Sequence, residues 1–422
     1  MHIVHIAAGT GHFVCGTCVR DDAFVSALRR QGHRVDVATL YLPLHRQDGL
    51  RGDEPIFLGA LNALLQHKSR LFRRTPRWFD RPLDHPRLLR WISRASELTR
   101  ARSLGSMTVS VLKGIDGNQA KEVQRLVRWV EDIGPPDVVV LSNALLSGLG
   151  VAIEKLTSCP VVCTFQGEQG FLDALPEPHR SEAWDLLGDA VGRMSGLVAV
   201  SRSDARALGE RLSSANIDVV HNGIDPSDIR PSGHRPERPT VGYLAAMTSD
   251  KGLDVLIEAF VRLRRRMDVD LRVAGTASFA DRSFLNAARR RLRREGLEGS
   301  VEFLPNIDWD EKVEFLGTLT VLSVPAVYPE SFGLYLLEAW AAGVPVVQPR
   351  QASFPELLEI SGGGLLFDAA EPDSLSEALE RVLSDEALAT RLGENGRRAV
   401  EGPFHIDRAA RDLGQVLAAV RA

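Results

Sequence analysis

Two stretches of the chain open alike: a short apolar run, a turn of small residues, then a segment whose apolar positions recur at helical spacing. In the first, residues 2–7 read as a buried strand and a loop follows. Ala23, Phe24, Ala27 and Leu28 then form one stripe of a helix over 19–31. Gly32 ends that helix, and a second strand is expected over 34–40. In the other, a strand over 240–245 and a loop to Lys251-Gly252 precede a helix over 253–265. Its stripe is Leu256, Ala259, Phe260 and Leu263, and a strand over 271–274 follows. Further apolar runs fall at 137–141, 161–165 and 197–200 in the first half, and at 301–304, 321–324, 344–347 and 365–367 in the second. Runs that are apolar at every position, not at alternate ones, suit parallel strands covered on both faces. Two β-α-β openings half a chain apart predict an α/β protein of two Rossmann-like, doubly wound domains.

The length agrees, because 422 residues are too many for one ordinary core. The expected organisation is a first domain over 1–225, a linker over 226–239 rich in Pro, Ser, Gly and charge, a second domain over 240–403, and a last helix over 404–422. Residues 43–120 exceed a minimal Rossmann half. They read as a mostly helical insert, broken at Pro76, Pro82 and Pro86.

Composition narrows the class. A chain 44% hydrophobic and 25% charged is that of a globular protein, and no run of about 18 apolar residues suggests a membrane span. The N-terminus enters a strand pattern directly, without a signal-peptide pattern. Four cysteines, at 15, 18, 159 and 163, suit a reducing compartment, so a cytoplasmic location is expected. The net charge of −4 conceals an asymmetry. Between Lys68 and Arg102, eleven Lys/Arg face three acids, a local charge of +8, and the remainder carries −12. The segment 68–102 interleaves those charges with Leu71, Phe72, Trp78, Phe79, Leu88, Leu89, Trp91 and Ile92. Such a pattern suits an anionic acceptor or a peripheral contact with the inner membrane face; a solvated helical face is the plainer alternative. No nucleic-acid partner is expected. Cys15 and Cys18 have CxxC spacing but lack a full set of further metal ligands, so loop thiols are the default and no metal is expected. His5, on an apolar strand, reads as a satisfied core histidine.

The most informative stretch is Pro329-Glu330-Ser331-Phe332-Gly333-Leu334-Tyr335-Leu336-Leu337-Glu338. A helix must start near 331–334, pass Trp340 and stop at Gly343. Its first amides and dipole make an anion site suited to a diphosphate, and Gly333 would let a ligand approach the backbone. Glu330 lies just before the helix and Glu338 about 6–8 Å further along its axis. Carboxylates so placed suit hydroxyls at both ends of a diphosphate, the pattern of a nucleotide sugar. The plainer reading is a capping Glu and a surface Glu.

The spacing Glu330-x7-Glu338, set in Pro-Glu-Ser-Phe-Gly-Leu and followed by Ala-Gly-Val-Pro-Val-Val, closely resembles the donor signature of family 4 glycosyltransferases (glycosyl transferases group 1). Asn222-Gly223-Ile224-Asp225, Lys251-Gly252 and the Gly-Gly-Gly-Leu-Leu run at 362–366 also match, so the resemblance covers nearly the whole chain. It implies a GT-B fold, two Rossmann-like domains facing across a cleft. It implies metal-independent transfer of a hexose or N-acetylhexosamine with retention, from a nucleotide-sugar donor (a UDP-sugar first) to an unidentified acceptor. No cofactor is implied, since the nucleotide sugar is a substrate. Carried over, Glu330 would meet the donor-sugar hydroxyls and Glu338 the ribose. Amides near Phe332, Gly333 and Leu334 and the Lys251 ammonium would hold the diphosphate. Gly16 would let the first loop close over the phosphates, and backbone near Asn306 would meet the base.

Two departures bear on activity. The family's Gly-Arg in the first loop of the second domain is Ala245-Ala246 here, and Arg20 is the candidate replacement. The family's Thr-x-His-Gly is Thr164-Phe165-Gln166-Gly167, followed by Glu168. Gln166 can hydrogen-bond a hydroxyl but cannot share protons as His does. Glu168 is a candidate acceptor base, or else a solvated loop acid. These departures favour a second reading, a noncatalytic sugar-nucleotide-binding pseudoenzyme or subunit.

Overall fold

The computed structural model describes residues 1–8, 16–41, 56–69, 72, 101–213, 216–231, 236, 238–371 and 373–421. The chain forms two compact units, Met1–His221 with Ala409–Ala422, and Asn222–Arg408.

In the first unit the described strands are β1 (His2–Ala8), β2 (Arg34–Leu40), β3 (Ile56–Phe57), β4 (Val138–Leu141), β5 (Val161–Thr164), β6 (Gly196–Ala199) and β7 (Asp218–Val219). They pair in parallel in the order β3-β2-β1-β4-β5-β6-β7. The helices are α1 (Gly16–Arg30), α2 (Ala60–Lys68), α3 (Ala101–Leu112), α4 (Ala120–Asp132), α5 (Ser147–Thr157), α6 (Gln169–Asp173), α7 (His179–Val191) and α8 (Arg202–Leu212). Ile3, Val4 and Ile6 are all buried, so β1 is covered on both faces, as its unbroken apolar run requires. Val4, Ile6, Val139 and Leu141 share one core with Leu126 and Val130 of α4, Leu149 and Ile153 of α5, and Leu187 of α7. The expected stripe of α1 is buried at Phe24, Ala27 and Leu28. Within the expected insert, the described residues hold α2, α3 and the unforeseen β3. Its basic stretch 68–102 lies almost wholly outside the described residues, as does Cys15.

The second unit repeats the plan. Strands β8 (Thr240–Leu244), β9 (Asp270–Gly275), β10 (Val301–Pro305), β11 (Val321–Leu322), β12 (Val346–Pro349) and β13 (Gly364–Phe367) run parallel in the order β10-β9-β8-β11-β12-β13. Its helices are α9 (Leu253–Arg264), α10 (Arg282–Arg294), α11 (Trp309–Gly317), α12 (Leu334–Ala341), α13 (Phe354–Ser361), α14 (Ser374–Ser384) and α15 (Glu386–Glu401). The last helix, α16 (Ile406–Arg421), belongs to the first unit from Ala409 onward. One strand sits two residues later than the pattern suggests, at 346–349 in place of 344–347. Gly343, with φ +74°, closes α12, and the Val344 N–H donates back to Ala339 O at 2.9 Å, so the strand starts only at Val346.

Both sheets therefore have the doubly wound order 3-2-1-4-5-6, the first with a seventh strand added at its edge. In such sheets the chain direction of winding reverses at one point, and the loops leaving the strands there diverge to form a crevice. These points lie between β1 and β4 in the first unit and between β8 and β11 in the second.

Candidate active site

In the second unit, the loop after β8 carries Lys251 and the loop after β11 carries Glu330, so the crevice brings them together. The Lys251 ammonium lies 2.5 Å from Glu330 Oε2. The two loops are locked by backbone. Gly252 has φ +73°, and a Cβ there would meet Pro325 O at 1.9 Å, so only glycine fits. The Val327 N–H donates to Asp250 O at 2.9 Å. The buried Ser353 hydroxyl donates to Glu330 O at 2.9 Å, fixing the approach to α12. Tyr328 donates to Glu330 Oε2 at 3.1 Å, and its ring lies 4.8 Å from the Lys251 nitrogen. Burial draws the Lys251 pKa down, but Glu330 and Tyr328 more than offset this, so it stands above the ordinary lysine value. Lys251 is a cation at any physiological pH.

Glu338, in the second turn of α12, has a lysine of its own: Lys312 Nζ on α11 lies 2.6 Å from its Oε1 and 4.2 Å from the Trp309 ring centroid. Both carboxylates of the Glu330-x7-Glu338 spacing are thus lysine-paired. Lys312 escaped sequence reasoning, because nothing in its local pattern points 26 residues ahead. Glu330 is correspondingly no helix cap. The capping position is Gly333, at φ +85°, and α12 begins at Leu334. A Cβ at Gly333 would stand 3.1 Å from Leu336 Cδ1 and from Tyr335 Cζ, tighter than an ordinary contact. Phe332 is core: its ring packs edge-on against Phe404, so only its backbone is offered to a ligand. Asn306 adopts φ +59°, and its side chain exchanges two 3.0 Å hydrogen bonds with the Ala277 backbone. That clamp shapes the loops after β9 and β10, beside the crevice.

In the first unit, Gln166 and Glu168 follow β5. Glu168 is 6% exposed, which excludes the solvated-acid reading. Its Oε1 accepts from the Ala144 N–H at 3.0 Å and its Oε2 from the Gln166 N–H at 2.8 Å, tying the loop after β4 to the loop after β5. Burial raises its pKa; those amides and Arg20 pull the other way. The Gln166 side-chain N–H donates to Ser142 O, so the amide is fixed in one orientation with Oε1 as its remaining acceptor. Asp204, after β6, accepts from Gln169 Nε2 at 3.0 Å. Burial, then the charge of Glu168, pushes its pKa up to about 7. Arg20 is 2% exposed and donates to Asp21 Oδ1 at 2.9 Å, so its guanidinium sits inside the first unit. Gly16 opens α1 and is exposed. His5 is buried, yet neither ring nitrogen has a hydrogen-bond partner among the described residues, and Asp21 Oδ1 lies 3.6 Å away. Cys18, Cys159 and Cys163 are buried, and burial raises the Cys163 thiol, which makes it inert. Among the described residues no three His, Cys, Asp or Glu side chains are grouped to hold a metal, and no helix is long and apolar enough to cross a membrane.

Two family models match adjoining parts of this chain: Glycosyl transferases group 1 over residues 225–399 and Glycosyltransferase Family 4 over residues 110–228. The chain belongs to this family of glycosyltransferases, with the GT-B class of fold. It is similar to the phosphatidyl-myo-inositol mannosyltransferase of Propionibacterium freudenreichii subsp. shermanii, 30% identical over 269 residues, covering 62% of this chain and 65% of that protein. It is also similar to the GDP-mannose-dependent alpha-(1-6)-phosphatidylinositol monomannoside mannosyltransferase of Mycobacterium tuberculosis, 27% identical over 248 residues, covering 55% and 63%. The chain thus spans a little under two thirds of these relatives' lengths. Among solved structures, the Anabaena protein HepE in complex with UDP and glucose superposes with a TM-score of 0.72 at 16% identity, covering 99% of this chain and 100% of that one.

Proposed function

We propose that this protein transfers a hexose or N-acetylhexosamine from a nucleotide-sugar donor to an acceptor hydroxyl, with retention and without a metal. The observation that carries the reading is the meeting of Lys251 and Glu330 at the strand-order reversal of the second unit, directly before the N-terminus of α12. An ammonium and free helix amides suit a diphosphate. A carboxylate beside them suits the hydroxyls of the attached sugar, and Glu338 suits the ribose. The chemistry is then positioning and stabilisation of charge on the leaving diphosphate, which takes the acceptor's proton on the same face. In the first unit, Gln166 Oε1 is the group offered to a hydroxyl. We assign Glu168 to holding the loops, because both its oxygens are engaged by backbone amides. The basic segment 68–102 supports an anionic acceptor, or an anionic membrane surface that carries it.

The donor base is open to a direct choice, since one relative is named for GDP-mannose and HepE is a complex with UDP. Incubation with UDP-, GDP- and ADP-sugars and a cell-extract acceptor fraction, with anomer-resolved NMR of the product, tests the whole reading. One donor class is expected to yield nucleoside diphosphate and a product of retained configuration. An inverted product would refute the mechanism, and binding without any turnover would favour the noncatalytic subunit.

A further inference from the structure

Three of the chain's four tyrosines, Tyr243, Tyr328 and Tyr335, gather around the Lys251–Glu330 pair. Tyr243 braces the loop from below, donating to Ala246 O at 2.6 Å. Tyr328 shares Glu330 Oε2 with Lys251. Tyr335 differs from both. Its ring folds back over Gly333, where a Cβ would stand 3.2 Å from the phenol oxygen. Tyr335 is 8% exposed, and its hydroxyl makes no hydrogen bond of standard geometry. Burial and then the Glu330 charge hold that phenol protonated, well above the ordinary tyrosine value. The hydroxyl already sits beside the Glu330 carboxylate without completing a hydrogen bond to it, and a buried hydroxyl left so is costly unless some state of the site uses it.

We propose that the Lys251–Glu330 pair is a latch, opened by a ligand that offers a phosphate and a sugar hydroxyl together. A phosphate alone draws Lys251 away and leaves a buried carboxylate without its counter-charge. A ligand that also brings a hydroxyl gives Glu330 a new donor. The Tyr335 hydroxyl is the reserve donor that, with Tyr328, keeps Glu330 bonded once Lys251 has turned to the phosphate. The latch rests on the donor-site reading and adds what that site selects: a nucleotide sugar over the bare nucleoside diphosphate.

The test is calorimetry with UDP against UDP-glucose, GDP against GDP-mannose and ADP against ADP-glucose, on wild type, Glu330→Gln and Tyr335→Phe. In Glu330→Gln the lysine is released, so the nucleoside diphosphate binds about tenfold tighter, the low end of what a charge-assisted contact contributes. The same variant loses most of the advantage of the nucleotide sugar. Tyr335→Phe leaves the diphosphate within about twofold and weakens the nucleotide sugar by roughly fivefold, one neutral hydrogen bond. Equal weakening of both ligands by Glu330→Gln overturns the latch while leaving the donor site standing. Should Glu330→Gln fail to fold by circular dichroism, Tyr335→Phe decides: equal loss on both ligands overturns the proposal. Wild type that binds none of the six overturns the donor site and the latch together.

Discussion

Replacing Asp204 by Asn should stabilise the first unit at pH 8 and do little at pH 4. Asp204 is 5% exposed, its Oδ1 accepts from Gln169, and its Oδ2 has no partner among the described residues. Its pKa rises from 3.8 in the unfolded chain to about 7 in the fold. Between these values the folded chain holds a proton that the unfolded chain has released. Stability from this group is therefore full below about pH 4, falls as pH rises, and reaches its floor above about pH 7. At about 1.4 kcal/mol per pH unit, the total loss approaches roughly 4 kcal/mol. Asn keeps the oxygen that Gln169 needs and never ionises, so Asp204→Asn lacks this slope. The expected gain at pH 8 is about 2–4 kcal/mol, or very roughly 4–16 °C in the melting temperature of a unit of about 230 residues. Urea unfolding of wild type and variant at half-unit pH steps from 4 to 8 gives the two slopes. Parallel slopes, or a variant less stable than wild type at pH 8, would refute the buried, proton-holding assignment.

Other outcomes follow from the second unit. Lys251→Ala should lower transfer at least ~100-fold with the fold intact, because a charge-assisted contact in a partly dry site is lost; steady-state assays beside circular dichroism check this. Ala246→Arg should tighten nucleoside-diphosphate binding by calorimetry, since the family's arginine is missing beside Lys251; unchanged affinity would mean another group, such as Arg20, already fills that role. EDTA should leave turnover intact, and recovery of lost activity on adding a divalent metal would contradict the metal-free mechanism.

Much of this was legible because it is local. Continuous apolar runs marked the longer strands, and helical stripes marked α1 and α9. The donor signature lay within ten consecutive residues. What escaped was tertiary or too short to show a period. The two-residue strands β3 and β7 carry no pattern of their own. The partners of Glu330 and Glu338 lie 79 and 26 residues away in the chain, and only the reversal of strand order makes the first pairing necessary. At Gly333 the positive φ and the nearby Tyr335 ring favour glycine within the protein itself, a demand that no local pattern shows. Glu168 could be read as a loop acid because one of the amides it binds, that of Ala144, belongs to a different strand's loop.

The central claim is that Lys251 and Glu330 form the donor site. Its most direct test is titration of wild type and Lys251→Ala with a panel of UDP-, GDP- and ADP-sugars. The account predicts that wild type binds one class and that Lys251→Ala binds it about 10–100-fold more weakly while remaining folded. Equal affinity in the two proteins, or no binding of any nucleotide sugar to wild type, would contradict it.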